Sequence, residues 1–391
     1  MRILFVSEMV PWLPCHDGFR VSPANLVCQL SARNEVHLIA LAHGGETREQ
    51  SEWARPYCKS FSVFPAGRGM SAKMRVITSS PDPALMRLVG DAATRIEPEL
   101  MHLEGGGLAP IPRSFSRGVP AVLSVHDSKA LRYLDFAAYT TSARKRISLK
   151  LLAIIARRHE RRWFRYADRV VAASPFDADA LSASLGREQI VSIPYGVDLD
   201  YYARKKQPEP GRIVFTGSMN WPPNEDAAEH FAREMLPSIR TRLPDASFWI
   251  VGADPSARVR SLASLPGVHV TGTVADIRPW IWSAAVYVSP LRYGLGVKNK
   301  ILEAMASGAA MVATTRSLSG TPLIDGRDAM VADDDAKFAD AVVRLLSHSE
   351  LRNSLAGEAR RKAEAEYSWG SITAKFEELY REIVKRHRAA A

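Results

Sequence analysis

Short apolar runs recur along the whole chain and are separated by loops or by segments with helical periodicity. In the first half of the chain the runs are Arg2–Glu8, Glu35–Leu41, Ser60–Pro65, Ala121–Asp127, Arg169–Ser174 and Ile190–Gly196. In the second half they are Arg212–Ser218, Ala246–Gly252, Gly267–Gly272, Ala284–Pro290 and Ala309–Thr315. Such runs predict buried strands. Strands that alternate with helices predict a mostly parallel, doubly wound α/β sheet, here in two similar halves.

The alternation breaks at residues 203–211, where the sequence ARKKQPEPG is charged and contains proline and glycine. This composition favours neither strand nor helix, so we interpret it as a linker. The predicted domains are 1–202 and 212–370, and residues 371–391 form a last helix that is a candidate to cross back to the first domain. Ligands of open α/β sheets bind beyond the carboxyl ends of the strands, so functional residues are expected in the loops after the strands.

The composition is that of a globular protein. The 391 residues suffice for two hydrophobic cores. No apolar run approaches the roughly 20 residues of a membrane span, and Glu8 interrupts the N-terminal run too early for a signal peptide. The three cysteines are an odd number without metal-binding spacing, which suits a reducing compartment. We therefore expect a cytoplasmic protein.

A formal net charge of +10 favours an anionic partner, which could be a nucleic acid, a membrane surface or a phosphorylated ligand. The segment Arg144–Arg165 carries nine lysines and arginines against the single acid Glu160. The apolar residues that recur in it with helical spacing are Ile147, Leu151, Ile154 and Ile155. This pattern predicts either a helix packed against its own domain or an interfacial helix that contacts anionic lipid at the inner face of a membrane.

A glycine-rich turn leads into a predicted helix within residues 290–308, PLRYGLGVKNKILEAMASG. Gly294 and Gly296 precede Lys298 and Lys300, and the helix carries Glu303 as its one acid. The unpaired N–H groups of a helix N-terminus, the positive end of the helix dipole and two ammonium groups together attract phosphate. The pattern therefore predicts a phosphate-binding site.

Several runs of the sequence resemble glycosyltransferase family 4. They are ADRVVAASPFDADAL, IVSIPYGVD, IVFTGSMNWPPNEDAAEHF, VTGTVADIRPWI, VSPLRYGLGVKNKILEAMASGAAMVATT and the closing YSW. The resemblance covers essentially the whole chain and is most specific from Asp168 to Thr315. It implies the GT-B fold, in which an acceptor-binding and a donor-binding Rossmann-like domain face a central cleft. It also implies retaining transfer from a nucleoside diphosphate sugar, without a metal or another cofactor.

The sequence departs from the family pattern at two points. Members commonly carry a Glu-x7-Glu signature, whose second acid contacts the donor ribose; here Glu303 is the second acid, and Leu295 occupies the first position. The sequence instead resembles a subgroup with Gly-x-Gly-x-Lys-x-Lys before LEAMA, common in polysaccharide and secondary-metabolite biosynthesis. The arginine and lysine that many members place after the first strand of the second domain are absent from TGSMNWPPN. Lys298 and Lys300 are the candidates to replace them.

The patterns and the resemblance together give three groups of candidate site residues. Candidate donor-binding residues are Gly18, Gly217, Ser218, Thr273, Gly294, Leu295, Gly296, Val297, Lys300 and Glu303. Candidate catalytic residues are His126 and Lys298, and candidate acceptor-binding residues are His16, Asp17, Arg20 and Asp127. Structural alternatives remain open: Glu303 could serve the helix dipole, the lysines could be solvated, His126 could cap the next turn, and Asp127 could be an N-cap.

The triplets DAD at Asp177, DLD at Asp198 and DDD at Asp333 resemble acid pairs that hold a divalent cation in other glycosyltransferases. None of them follows a predicted strand into the expected cleft, so no metal site is expected.

We therefore expect a retaining glycosyltransferase that moves a sugar from a UDP- or GDP-sugar to a hydroxyl of a glycan, lipid-linked or secondary-metabolite acceptor. The nearest rival is a sugar-nucleotide epimerase of the same fold, which would bind the donor without a second substrate. A basic nucleic-acid-binding protein is the rival from another class. It is disfavoured because the sequence has neither zinc-binding spacing nor an aromatic-interleaved RNA signature.

Overall fold

The structure, a computed structural model, describes residues 1–15, 18–67, 82–115 and 118–390. The chain forms two compact units. The first consists of Met1–Tyr195 and Trp369–Ala391, and the second is the continuous segment Gly196–Ser368. The chain thus passes from the first unit to the second and back, which makes the first unit discontinuous in sequence.

The described residues of the first unit contain a seven-stranded parallel sheet. Its strands are β1 (Arg2–Ser7), β2 (Glu35–Ala42), β3 (Ser60–Pro65), β4 (Leu100–Glu104), β5 (Ala121–Val125), β6 (Arg169–Ala172) and β7 (Ile190–Ser192). They lie in the order β3-β2-β1-β4-β5-β6-β7. The helices are α1 (Gly18–Ser31), α2 (Arg48–Glu52), α3 (Pro83–Ile96), α4 (Lys129–Tyr139), α5 (Ala143–Trp163), α6 (Pro175–Leu185) and, last in the chain, α15 (Trp369–Ala390).

Strand β1 shows how the sequence builds a layer on each face of this sheet. Successive side chains of a strand point to opposite faces. Ile3 packs in the core cluster that includes Tyr380 of α15, whereas Leu4 packs in the cluster that includes Val89 of α3. The strand is buried on both faces, which explains why it reads in the sequence as a continuous apolar run.

The described residues of the second unit contain a six-stranded parallel sheet, in the order β10-β9-β8-β11-β12-β13. Its strands are β8 (Arg212–Thr216), β9 (Ser247–Val251), β10 (Val268–Gly272), β11 (Val286–Ser289), β12 (Met311–Ala313) and β13 (Met330–Val331). The helices are α7 (Leu199–Tyr202), α8 (Pro222–His230), α9 (Leu236–Arg242), α10 (Ala257–Ser261), α11 (Arg278–Ser283), α12 (Asn299–Ala306), α13 (Asp335–Ser347) and α14 (Ser349–Glu366). A π-helical turn, Phe231–Met235, joins α8 to α9. Short 3₁₀ helices in the two units are Arg55–Tyr57, Gly106–Leu108, Ile111–Phe115, Phe164–Tyr166, Arg187–Gln189 and Leu262–Ser264.

Both sheets have the strand order of a Rossmann fold, in which the order reverses between the first and the fourth strand. In the first unit this switch point lies between β1 and β4, and in the second unit it lies between β8 and β11. Ligands of such sheets bind beyond the carboxyl ends of the strands at the switch point. The residues directly after these four strands are therefore the first candidates for a site.

Each predicted strand run contains an observed strand, and the predicted doubly wound α/β architecture is confirmed. The apolar pattern does not predict β4, whose sequence is LMHLE. Its central residue, His102, is fully buried and hydrogen-bonds to Glu104 and to the hydroxyl of Tyr380. The polar His102 interrupts the apolar run of this central strand, and its hydrogen-bond partners come together only in the folded chain. The apolar pattern therefore misses β4.

The boundary between the units lies after Tyr195, earlier than the predicted domain end at 202. Helix α7 and residues 203–211 belong to the second unit. Arg204, within the predicted linker, donates hydrogen bonds to the carbonyl oxygens of Ser307 at 3.1 Å and Gly308 at 2.7 Å. These bonds attach the segment to the end of α12 in the second unit. The last helix begins at Trp369 and belongs to the first unit.

Candidate active site

The loop after β8 packs closely against α8 and α12. Gly217 follows β8 directly, and a Cβ at this position would lie 2.6 Å from Asn224 Nδ2 and 2.9 Å from Lys300 Nζ. Lys300 Nζ donates to Asn224 Oδ1 at 2.6 Å, and Asn224 Nδ2 donates to the carbonyl oxygen of Ser218 at 3.0 Å. The absence of a side chain at Gly217 leaves room for the lysine. The Lys300 ammonium therefore reaches the switch point of the second sheet.

The Lys300 ammonium lies in a poorly hydrated position. Its Nζ is 4.2 Å from the centroid of the Phe215 ring. Burial, together with the positive charge of Lys298, lowers the pKa of Lys300 to about 7, although the charge of Glu303 acts in the opposite direction. A nearby anion favours the charged form of a lysine. A ligand with negative charge would therefore raise this pKa and hold the proton.

Glu303 lies in the second turn of α12, because the helix begins only at Asn299. Its side chain hydrogen-bonds to Tyr202, which α7 contributes. Burial raises the pKa of Glu303, and the hydrogen bond from Tyr202 and the charge of Lys300 only partly oppose this effect. The helix-dipole effect falls off within the first turn. The position therefore argues against an acid that merely serves the dipole.

The glycine-rich turn before α12 has the backbone geometry that its sequence demands. Gly294 and Gly296 have φ angles of 93° and 86°, in the left-handed region that glycine adopts readily. Lys298 is the N-cap residue of α12, and its Nζ donates to the carbonyl oxygen of Gly296 at 2.6 Å. The Lys298 side chain makes no capping hydrogen bond to the first N–H groups of the helix.

The remaining donor-binding candidates have varied positions. Leu295 and Val297 are partly buried, and the backbone of Val297 packs closely against Gly320. Thr273 is exposed and follows β10, the outermost strand on its side of the sheet. Gly18 begins α1 in the first unit. The structure thus brings Gly217, Ser218 and Lys300 together and leaves Thr273 at the rim of the sheet.

In the first unit, two acids lie at the carboxyl ends of the strands that flank the switch point. Glu104 ends β4, and the N–H group of Glu8, after β1, donates to the Glu104 carbonyl oxygen at 2.8 Å. The Glu8 carboxylate accepts a hydrogen bond from the Gly107 N–H group at 3.2 Å. A Cβ at Gly105 or Gly107 would overlap with the Glu8 side chain. The glycines after β4 therefore leave the space that Glu8 occupies.

Buried Glu104 connects two histidines. Its Oε2 lies 2.9 Å from His102 Nε2, and its Oε1 lies 3.4 Å from His126 Nε2. His102 Nδ1 in turn lies 2.7 Å from the hydroxyl of Tyr380. Burial alone would raise the pKa of Glu104, but the hydrogen bond from His102 and the charges of the histidines outweigh burial and lower it. Glu104 is therefore ionised at neutral pH.

His126, the candidate catalytic residue, directly follows β5 at the same edge of the sheet. Its Nδ1 is hydrogen-bonded to the hydroxyl of Tyr195, and its ring packs edge-to-face with Phe19 at 4.5 Å between centroids. Tyr195 and Glu104 thus face its two ring nitrogens. The protein itself fixes the orientation of this imidazole.

Of the four candidate acceptor-binding residues, the structure describes Arg20 and Asp127. His16 and Asp17 lie outside the described residues. Arg20 forms an ion pair with Glu46 at 3.2 Å. Asp127 forms an ion pair with Arg132 at 2.8 Å. The cap of α4 is Ser128, whose side chain accepts from the Leu131 N–H group, so neither His126 nor Asp127 caps this helix.

A cavity of about 580 Å³ opens at the carboxyl ends of β1, β4 and β5 in the first unit. Its polar lining includes Glu8, His43, Glu104, His126, Asp127, Lys129, Arg132, His159 and Glu160. Its apolar lining includes Leu41, Phe64, Leu85, Leu108, Leu152 and Ile155. Arg20 is not among the described residues that line it. Acidic and imidazole groups at the strand ends thus face walls of aliphatic and aromatic side chains.

Helix α5 contributes two titratable residues to this cavity. Glu160 accepts hydrogen bonds from Ser128 Oγ and the Ala130 N–H group, each at 3.2 Å. Burial raises the pKa of Glu160 to about 7. Burial lowers the pKa of His159, whose Nε2 lies 2.9 Å from the carbonyl oxygen of Gly106. His159 is therefore neutral near pH 7, and Glu160 is only partly ionised.

The outer face of α5 is apolar and basic. All nine lysines and arginines of Arg144–Arg165 are exposed. The side chains that pack inward are Leu149, Ala153, Ala156, Glu160 and Trp163. Ile147, Leu151 and Ile154 are 62%, 56% and 50% exposed, so the helix packs on its own domain but not through these three residues. None of the helices in the described ranges combines the length and apolar composition needed to cross a membrane.

The aspartate triplets have structural partners. Asp177 accepts from the Ser128 N–H group at 2.9 Å, and Asp198 caps α7 through the Tyr201 N–H group at 2.8 Å. Asp333 binds the N–H and hydroxyl groups of Thr315, both at 2.8 Å.

Sequence reasoning did not select Glu8, Glu104, Asn224 or Tyr202. Glu8 carries a usable signal, since it ends a predicted strand run. Glu104 carries another, since three glycines follow it. Asn224 and Tyr202 have no local signal, because they meet Lys300 and Glu303 only through the fold.

Two family models match successive parts of the chain. The model described as Glycosyltransferase Family 4 matches residues 17–201, and that described as Glycosyl transferases group 1 matches residues 210–348. The chain is similar to the phosphatidyl-myo-inositol mannosyltransferases of Mycobacterium tuberculosis, with 27% identity over 208 residues, and Mycolicibacterium smegmatis, with 30% over 205 residues. These matches comprise 49% of this chain and 54% and 52% of those proteins. The chain thus spans about half the length of the curated relatives it matches.

Solved structures resemble the chain over both units. Sucrose-phosphate synthase from Thermosynechococcus elongatus has a TM-score of 0.72 at 16% identity, and the similarity covers 100% of both chains. HepE of Anabaena in complex with UDP has a TM-score of 0.67 at 14% identity, over 98% of this chain and 100% of that one. These similarities identify the fold as GT-B. With both family models matched in sequence order along the two Rossmann-like units, the chain belongs to glycosyltransferase family 4.

Proposed function

We propose that this protein is a glycosyltransferase that moves a hexosyl group, with retention of anomeric configuration, from a nucleoside diphosphate sugar to an acceptor hydroxyl. The observation that carries the proposal is the Lys300 ammonium beside Gly217, where the second sheet has its switch point. Crystal structures of the Anabaena relative contain UDP and UDP-glucose, which supports a UDP-sugar as donor. A GDP-sugar is the alternative predicted from the sequence.

The donor would be held mainly by α12 and the turn before it. Lys300 and Lys298 stabilise the diphosphate, together with the N–H groups that open the helix. Glu303 offers two acceptor oxygens to the ribose hydroxyls from a rigid helix. Tyr202, hydrogen-bonded to Glu303, helps to orient the carboxylate.

Catalysis would rest on preorganised charge. The lysines stabilise the negative charge that develops on the departing diphosphate, so that the leaving phosphate can help to deprotonate the acceptor hydroxyl on the same face of the sugar. His126, fixed by Glu104 and Tyr195, orients a substrate hydroxyl group. No protein nucleophile takes part. Positive charge from lysine and helix N–H groups also makes a divalent cation unnecessary.

We also propose peripheral contact with the cytoplasmic face of a membrane through α5. The exposed Ile147, Leu151 and Ile154 form a stripe among exposed lysines and arginines, a pattern typical of interfacial helices. The mycobacterial relatives are named after a membrane lipid, phosphatidyl-myo-inositol, and this is compatible with the proposed contact.

A thermal-shift panel of UDP-, GDP-, ADP- and TDP-sugars tests the proposed function. A ligand at about 100 times its Kd stabilises a protein by about 2.7 kcal/mol. We expect a clear shift with one nucleotide class, and glycoside product only when an acceptor is added. No shift with any donor would overturn the proposal, and conversion of the donor alone would favour the epimerase.

A further inference from the structure

The cavity of the first unit is large, and much of its lining is apolar. Its volume of about 580 Å³ lies in the range of pockets that bury an entire small organic ligand. Its polar groups at the strand ends are Glu8, Glu104 and His126, and the surrounding helices add Lys129, Arg132, His159 and Glu160. The side chains of Leu41, Phe64, Leu85 and Leu108 form apolar walls around this polar end.

The polar end of the cavity suits uncharged hydroxyl groups. Glu104 is ionised, and Glu8 holds its carboxylate against the glycines after β4. Carboxylates accept hydrogen bonds from hydroxyls. The cavity is also lined by the cations Lys129 and Arg132, but Arg132 is ion-paired with Asp127, and the acids of the lining outnumber the cations. This balance disfavours a phosphate or carboxylate group of a ligand. The imidazole of His126 lies beside Glu104 at this end.

Helix α5 gives the cavity an apolar path to the outside. Leu152 lines the cavity and is nevertheless 39% exposed. Ile155, also in the lining, lies one helical turn beyond Leu151, which is 56% exposed. Residues four positions apart are neighbours on a helix surface. Apolar surface therefore continues from the outer face of α5 into the cavity.

We infer that the acceptor is amphipathic: a neutral, hydroxyl-bearing end contacts Glu8 and His126, and an apolar body fills the cavity along Leu152 and Ile155. The inference rests on the proposed function, because it assigns this cavity to the acceptor. It excludes a purely polar glycan as the preferred acceptor. An apolar body gains affinity in proportion to the surface it removes from water.

Two glycosides that differ only in their tail test this inference. Binding of methyl β-D-glucopyranoside and of octyl β-D-glucopyranoside below its micelle concentration is measured by calorimetry on the full chain. We expect the octyl glycoside to bind at least about tenfold more tightly. Leu152→Asp should reduce this preference to below about threefold. Ile324→Asp, at an exposed isoleucine of the second unit, is the matched control and should retain it.

Equal affinity for the two glycosides, or no binding of the octyl glycoside, would overturn the inference. A preference lost in Ile147→Asp but kept in Leu152→Asp would assign the alkyl chain to the outer surface and would also overturn it. UDP and GDP titrations on the same samples keep the two proposals apart. If a nucleotide binds but the alkyl tail does not change the affinity for the glycoside, only the acceptor inference fails. If neither UDP nor GDP binds and no sugar nucleotide of the thermal-shift panel raises the melting temperature, the proposed function fails whatever the glycosides do.

The apolar body could come from a bilayer or from solution. With the donor found by the thermal-shift panel, transfer to dodecyl glucoside in vesicles that contain phosphatidylglycerol is compared with transfer to dissolved octyl glucoside. If Ile147→Asp slows only transfer to the vesicles, the acceptor is drawn from the bilayer. If it slows neither, the acceptor enters from solution. Both results support the same acceptor class.

Discussion

Glu303 and Lys300 are two partly buried, oppositely charged residues on one helix, and the burial of each disfavours its charge. Groups held in this way are costly unless a ligand completes their environment, so perturbed pKa values often mark functional sites. The ribose and diphosphate of a nucleotide supply hydroxyl donors to the acid and negative charge to the lysine.

Glu303→Gln tests the ribose contact. Glutamine keeps the shape of the side chain but replaces one acceptor oxygen with a donor and removes the charge. We expect affinity for the nucleoside diphosphate to fall by about 1 to 3 kcal/mol, with little change in the apo melting temperature. Calorimetric titration and apo melting curves measure the two effects.

Glu364→Gln on α14, at an exposed acid of the same unit, is the control and should change neither quantity. If Glu303→Gln binds the nucleoside diphosphate with normal affinity but has lower apo stability, Glu303 stabilises the helix and does not bind the ribose.

Lys300 should make nucleotide binding dependent on pH. The free protein loses the Lys300 proton above about pH 7, whereas a bound diphosphate raises the pKa and retains the proton. Binding should therefore take up a proton, and affinity should fall as the pH rises from about 7 to 9. Titrations in buffers of different ionisation enthalpy count the protons.

Lys300→Met should abolish the proton uptake and weaken binding by about 1.5 to 3 kcal/mol. Lys337→Met, at an exposed lysine in the first turn of α13, is the matched control. Unchanged proton uptake in Lys300→Met would show that another group titrates.

At the scale of residues, the sequence predicts a site well when its members lie close together in the chain. Gly294, Gly296, Lys300 and Glu303 stand close together in the chain, so their spacing alone indicates a helix with a phosphate-binding start. Asn224 cannot be predicted in this way, because 76 residues separate it from Lys300 and only the packing of α8 against α12 joins them.

Among the elements, α5 presents an exposed apolar stripe among cations. A helix of this kind gains affinity for anionic bilayers from both apolar insertion and charge, about 1 kcal/mol for each lysine or arginine near the surface. We expect the protein to cosediment with vesicles that contain phosphatidylglycerol and to dissociate at high salt. The triple variant Ile147→Ser, Leu151→Ser, Ile154→Ser should bind at least about tenfold more weakly.

Phe176→Ser, at an exposed aromatic residue of α6, is the control for this assay and should bind like the wild type. Equal binding of the triple variant and the wild type would refute the contact through α5.

Helical periodicity could not identify the buried face of α5. Ile147, Leu151 and Ile154 have the same i, i+4, i+7 spacing as Leu149, Ala153 and Ala156. Both sets satisfy the pattern, and the choice between them depends on which side of the helix meets the sheet. The strands were easier to predict, because burial on both faces gives a continuous apolar run wherever no buried polar group interrupts it.

For the whole molecule, we expect transfer to proceed without a divalent cation. The lysines of the glycine-rich turn supply the positive charge at the diphosphate that a metal ion would otherwise supply. Activity in EDTA should equal activity in buffer and should not increase with manganese. Loss of activity in EDTA that manganese restores would contradict this expectation.

The first unit should depend on α15. Its side chains Phe376, Leu379, Tyr380 and Ile383 are buried in the core of that unit. At about 1.5 to 3 kcal/mol for each such side chain, their loss approaches the total stability of an ordinary domain. A chain that ends at Ser368 should therefore lose the fold of the first unit and keep that of the second, Gly196–Ser368.

Limited proteolysis followed by mass spectrometry measures this outcome. Arg386→Ala, at an exposed residue of α15, is the control and should leave both units resistant. Resistance of the first unit in the truncated chain would show that its core is complete without α15.

The return of the chain to the first unit also determines the order of events during translation. Helix α15 leaves the ribosome only after every residue of the second unit has been made. Until then the apolar surface that Tyr380 covers is exposed on the nascent chain, and buried His102 lacks its hydroxyl partner. The second unit is contiguous and can complete its core earlier. The half of the protein that is synthesised first is therefore the last to mature, and in the interval it is a natural client for chaperones.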